Sequence, residues 1–178
     1  MEKLKQKETK GGVYFANLEA YNQGRLVGGW LYPLQYETLN GFLEAIKQIT
    51  RGADEIAVHD YDDFPNMGEY PCHEELYLLA HAIDQSHIDD EILIKYMENQ
   101  HDYSSDLVQE AEDSFICRAD SLKEFAEEQA DELINCTVNK EAQQFVFNYF
   151  DYEAYESDLN HDYLILELDN YDVAIFNY

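Results

Sequence analysis

The chain has 178 residues and a formal net charge of −27 at pH 7, yet 46% of its residues are hydrophobic. That length suits one ordinary domain or a few small subdomains, and the apolar content excludes a disordered acidic tail. Charge of this sign repels nucleic acid and anionic membranes, so a basic protein or a cation is the natural partner class.

Residues 1–12 are Lys-rich, end in Gly11-Gly12 and read as a flexible basic arm. "VYFANLEAY" (residues 13–21) is β-prone, "NQGR" is a turn, and "LVGGWLYP" reads as a second strand ending at Pro33. Its paired glycines predict a bulge or a close backbone contact. Over residues 36–50, Leu39, Phe42, Leu43, Ile46 and Ile49 recur at helical spacing. "EIAVHDY" then reads as a strand, and "DDFPNMGEYP", with two prolines and a glycine, as a loop. Helices are predicted over 73–85, 89–99 and 105–113, and a strand at "SFICRA". Ser121 opens a capping box, "SLKE", for a helix reaching about Leu133. A further helix covers 140–149, and Asp151 caps another. The chain closes with two strands around an Asp169-Asn170 turn.

The charge is uneven. Residues 1–53 hold seven Lys/Arg against five acids, whereas residues 54–178 hold four bases against 33 acids. The densest stretch is 106–133, with ten carboxylates and only Arg118 and Lys123 as bases. Within it, Leu122, Phe125, Ala126, Ala130 and Leu133 form one apolar stripe, and Glu124, Glu127, Glu128, Asp131 and Glu132 fall mostly outside it. From 124 to 132 a helix rises about 12 Å. That is roughly one charge per 2–3 Å, against about one per 1.7 Å for duplex DNA. A solvated helix face is the ordinary explanation of such a run, but ordinary surfaces intersperse both signs. Acids also interleave with tyrosines, as in "HDYDDF" and "NYFDYEAYESD". Tyrosine supplies amphipathic contact area at interfaces, and it equally shields thin cores.

Other chemistry finds little footing. An EF-hand starting at Asp60 fails, with Phe64, Pro65 and Pro71 at positions 5, 6 and 12. Pairs such as Asp89-Asp90-Glu91 leave an acidic calcium-binding module, or another protein-interaction module, as the alternative reading. "HEELY" lacks the second histidine of HExxH, and adjacent Cys72-His73 is poor zinc spacing. There is no GxSxG, P-loop or GxGxxG, so no enzyme, cofactor or metal is expected. Three cysteines (72, 117 and 136) without a CxxC fit reduced thiols. With no apolar h-region after "MEKLKQKETK" and no stretch near the ~20 residues of a membrane span, a soluble cytoplasmic protein is expected.

"VYFANLEAYNQGRLVGGWL" resembles the opening of the ArdA antirestriction proteins, through Ala16-Asn17-Leu18, Tyr21-Asn22, Gly24, Gly28 or Gly29, and Trp30. "EIAVHDYDDFP" looks like the family's "AIHDYE" segment, and "NYFDYEAYESDL" is similar to its "IDYxAYxRDL" segment, with Glu156-Ser157 as a departure. The resemblance implies an α+β fold of three small domains in an elongated chain. A helical middle unit (72–113) would lie between α/β units at 13–71 and 114–178. It implies a homodimeric mimic of B-form DNA that fills the DNA-binding groove of type I restriction–modification enzymes and protects incoming mobile DNA, without itself binding nucleic acid or membrane. On that reading the phosphate-like surface draws on Asp106, Glu110, Glu112, Asp113 and Asp120 before the acidic helix. It continues through Glu124, Glu127, Glu128, Asp131 and Glu132 to Asp151, Glu153, Glu156 and Asp158. Phe115 and Ile116, a short apolar strand among acids, are the expected dimer contact.

Overall fold

The computed structural model describes residues 10–178, so residues 1–9 of the expected arm lie outside the described residues. The fold is mixed α+β, with eight α-helices and two three-stranded antiparallel sheets among the described residues. The chain divides into two compact units, residues 1–87 with 100–108, and residues 88–99 with 109–178. The helical stretch 72–113 is thus shared between them.

The first unit carries a sheet of order β2-β1-β3, made from β1 (Gly12–Asn17), β2 (Gly28–Leu31) and β3 (Ile56–Asp62). The β-prone run from Val13 stops at Asn17, earlier than expected, because Asn17 caps the short helix α1 (Leu18–Asn22). Its Oδ1 accepts the Ala20 N–H at 2.8 Å, and its Nδ2 donates to the Thr50 carbonyl at 3.0 Å. One side chain therefore ends a strand, starts a helix and anchors the end of α2 (Leu39–Ile49). Val13, Phe15, Leu31 and Val58 pack against Phe42 and Ile46 of α2 and against Leu76 and Tyr77 of α3 (His73–Gln85). The paired glycines do make a close contact. A Cβ on Gly28, whose φ is +154°, would stand 2.1 Å from the Phe15 carbonyl oxygen, and one on Gly29 2.5 Å from Ile49 Cδ1. The bulge, however, lies on β3. Tyr14 pairs with Asp60 and Phe15 with Val58, leaving His59 as the extra residue.

The loop after β3 folds back on it, with Val58 N–H bonded to the Glu69 carbonyl at 2.8 Å. The Tyr61 hydroxyl donates to the Gly68 carbonyl at 2.7 Å, and burial pushes this phenol from 10.0 up to about 12. The folded protein holds that proton more tightly than the unfolded chain does, so the associated stability is complete below pH 10 and is lost as pH rises from 10 towards 12. Alkaline unfolding monitored by circular dichroism should show this loss, and Tyr61→Phe should make stability less steep across that window. An unchanged slope in Tyr61→Phe would contradict the assignment.

The second unit carries a sheet of order β4-β6-β5, from β4 (Phe115–Ala119), β5 (Tyr163–Glu167) and β6 (Val173–Asn177). The central strand β6 is buried on both faces, as its apolar run "VAIF" requires. Val173 and Ile175 pack with Phe125 and Ala126 of α6 (Leu122–Thr137) and Leu159 of α8 (Tyr152–Asp162). Phe176 meets Tyr96 of α4 (Asp90–Gln100) at 4.6 Å and Phe115 at 5.3 Å between ring centroids. The predicted caps form. Ser121 Oγ accepts the Glu124 N–H at 3.1 Å, and Asp151 Oδ1 accepts the Ala154 N–H at 3.0 Å.

Helix α6 runs a turn beyond the expected end at Leu133, and its stripe differs there. Ile134 is buried while Leu133 is 48% exposed. The C-terminal end of α6 meets α7 (Lys140–Tyr149), whose Gln143 amide bonds the Asn135 and Val138 carbonyls at 3.3 and 3.1 Å.

Candidate functional site

Two groups of acids stand out, set by what the few bases do. Arg118, on β4, is the hub of the first group. Its Nε bonds Asp172 at 2.7 Å, and its Nη1 lies 3.6 Å from Asp89 and 3.5 Å from Glu91. The Asp172 hydrogen bond, with Glu91 and Asp89 behind it, holds the guanidinium pKa above its ordinary value. Glu91 also accepts the Asp169 N–H at 2.9 Å, and Lys95 lies 3.5 Å from the Asp169 carboxylate. These four acids tie the β5–β6 turn and β4 to the start of α4. They are structural, and they engage two of the four bases in residues 88–178, Arg118 and Lys95.

The second group is the set expected from the sequence. Asp106, Glu110 and Asp113 lie exposed on α5 (Ser105–Ser114), where Glu112 is half-buried. Asp120 is exposed just after β4. Glu124, Glu127, Glu128, Asp131 and Glu132 are all exposed on α6, opposite buried Phe125, Ala126 and Ala130. Asp151, Glu153 and Asp158 are exposed at or on α8, with Glu156 half-buried. Some have local partners. Lys123 lies 3.8 Å from Glu127, and the Tyr152 hydroxyl donates to Asp131 at 2.8 Å. Lys123 is the one base beside the α6 carboxylates in sequence, and its pair with Glu127 is exposed and therefore weak. The amphipathic packing of α6 thus turns a run of like charge outward. Three pairs on it, Glu124–Glu128, Glu127–Asp131 and Glu128–Glu132, are like-charged at i,i+4, a spacing that destabilises a helix.

The proposed dimer residues are less alike than the sequence suggested. Ile116 is 37% exposed on β4, which is an edge strand, whereas the Phe115 ring packs on Phe176 of its own sheet. The sequence marks α7 as a helix but not as an apolar surface, and it has no buried residue. Phe145 and Tyr149, four residues apart on it, are 67% and 76% exposed, with ring centroids 4.8 Å apart. Their i,i+4 spacing without an opposing core partner was the available signal.

The tyrosines divide between both roles. Tyr77 and Tyr96 are core residues, while Tyr21, Tyr70, Tyr149, Tyr171 and Tyr178 are exposed. The three cysteines are free thiols. Among the described residues, no group of three or more His, Cys, Asp or Glu is placed to hold a metal ion, and no helix is long and apolar enough to cross a membrane.

No curated protein matches the chain. A family model described as antirestriction protein (ArdA) matches residues 13–171, which takes in both sheets' leading strands, the outward acids of α5, α6 and α8, and the Asn17 cap and Gly28 contact of the first unit. With that match extending over most of its length, the chain belongs to the ArdA family of antirestriction proteins.

Proposed function

We propose that the chain is a non-enzymatic DNA mimic, acting in the cytoplasm, that occupies the DNA-binding groove of type I restriction–modification enzymes and so protects incoming mobile DNA. The observation that carries this reading is the exposed α6 face, with five carboxylates over about 12 Å of helix, a linear charge density within about a factor of two of duplex DNA. Exposed carboxylates there stand in for phosphates, and the target's Lys/Arg side chains lose their DNA to them. The test is protection in cells. Unmodified phage plated on a host with a type I system should form many more plaques when the chain is expressed, because an enzyme whose groove is filled cannot hold the phage DNA. Equal plating with the folded chain present would count against it.

The mimic acts as a homodimer, and the C-terminal unit offers two apolar surfaces for the contact. The edge strand at Ile116 is the one expected from the sequence; the α7 face is the more exposed. We place the contact on α7, since burying a pair of aromatic side chains there removes more apolar area from water. Phe145→Lys should shift the chain to monomer in light scattering after size exclusion, and Ile116→Lys should leave the dimer intact. The reverse pattern would return the contact to β4.

A further inference from the structure

We propose that the solvent face of the N-terminal sheet is a binding place for an arginine side chain of a protein partner. A row of rings crosses that face. Trp30 of β2 meets Tyr14 of β1 edge-on at 5.5 Å, Tyr14 stacks on His59 of β3 at 6.4 Å and 21°, and His59 meets Tyr21 of α1 edge-on at 4.7 Å. The row depends on two irregular features of the chain. The bulge on β3 turns His59 out beside Tyr14, and the Asn17 cap starts the helix that brings Tyr21 over it. Trp30 and Tyr21, the ends of the row, are 38% and 52% exposed.

Beside Tyr21 and His59 opens a cleft of about 760 Å³, walled in part by Asp60 and Glu69. Residues 54–71 contribute six acids and no Lys or Arg. Ring faces attract a cation through their quadrupole, and the two carboxylates add charge of the matching sign. A planar guanidinium can stack on a ring while its edge bonds a carboxylate, which a lysine ammonium cannot do. An anion would be repelled, and the polar walls do not suit a purely apolar ligand. Arginines are what a DNA-binding groove presents, so the inference deepens the functional reading above and, in the choice of partner, rests on it.

Trp30 is the single tryptophan of the chain and gives one resolved signal at the end of the row away from the cleft. The full chain, isotope-labelled, is titrated with N-acetyl-arginine amide and, separately, with N-acetyl-lysine amide, following the Trp30 indole N–H and the His59 and Tyr21 ring signals. The expected result is a saturable response of those signals, about threefold tighter for the arginine probe. Tyr21→Leu, at an exposed position, should weaken it about threefold, and Glu69→Gln, which removes a carboxylate from the cleft wall, should do likewise. Shifts that fail to saturate, that spread evenly over the C-terminal acids, or that persist unchanged in both variants would overturn the site. Displacement of DNA from a type I recognition core separates the two claims. Displacement with a flat titration removes the arginine site alone, and a saturable titration without displacement removes the functional reading alone.

Discussion

Changing Glu124, Glu127, Glu128, Asp131 and Glu132 of α6 together to the corresponding amides should stabilise the fold while weakening its hold on a basic target. The two effects have one origin. Removing three like-charge i,i+4 pairs relieves roughly 0.2–0.5 kcal/mol each. Part of that gain is offset by the loss of Glu124 at the helix N-terminus, worth about 0.3–1 kcal/mol. The net gain in the chain's own stability is thus at most about 1 kcal/mol. The asparagine at 131 still accepts the Tyr152 hydroxyl, so the tie between α6 and α8 survives. Binding moves the other way. At roughly 0.3–0.5 kcal/mol per exposed ion pair, five losses weaken the complex by about tenfold to a hundredfold. Any one of the five changes alone should weaken it less than about threefold. Chemical denaturation and competition binding on the same variants check both signs. A single substitution that abolished binding would indicate a discrete site, in contradiction to a distributed field.

Gly28→Ala is expected to be the most damaging single-methyl addition in the first unit. The new Cβ would fall 2.1 Å from the Phe15 carbonyl oxygen and 2.9 Å from Ala16 Cα, both backbone atoms of the central strand. Backbone cannot step aside as a side chain can, so β1 and β2 would have to separate. Adding strain of about 1–3 kcal/mol for the unfavourable φ to a similar overpacking term gives a loss of about 2–6 kcal/mol. Gly29→Ala meets the Cδ1 end of Ile49, which can change rotamer, so its cost should be smaller. Melting curves of the two variants beside the parent chain decide the matter. Equal stability of the Gly28→Ala and Gly29→Ala proteins would show that β2 is not held this tightly.

Much of the architecture was legible because its signals are local. The helices at His73–Gln85 and Lys140–Tyr149 fall where the sequence predicts them, and Ser121 and Asp151 cap as their sequence context demands. The end of β1 was also written locally, in Asn17 followed by Glu19, but the β-prone run before it masked the cap. Leu133 could not be placed because two adjacent apolar residues, Leu133 and Ile134, both continue the stripe, and only tertiary packing decides that Ile134 is the buried one. The acidic surface was legible as composition plus phase: whichever side of α6 took Phe125, Ala126 and Ala130 into the core, the carboxylates had to face water. The division of acids was not legible, because Asp89, Glu91, Asp169 and Asp172 resemble the rest until the fold gathers them around Arg118 and Lys95. The aromatic row was hidden for the same reason. It joins residues from three strands and a helix, and it exists only because β3 bulges at His59.

Competition against DNA tests the central claim most directly. The purified DNA-recognition core of a type I restriction–modification enzyme is bound to labelled duplex at near-physiological salt, and the chain is added across stoichiometry. The account predicts displacement complete near one equivalent of chain dimer per core, weakening steeply as salt is raised because the contacts are between exposed charges. Retention of the duplex by several such cores, with the chain shown to be folded, would contradict it.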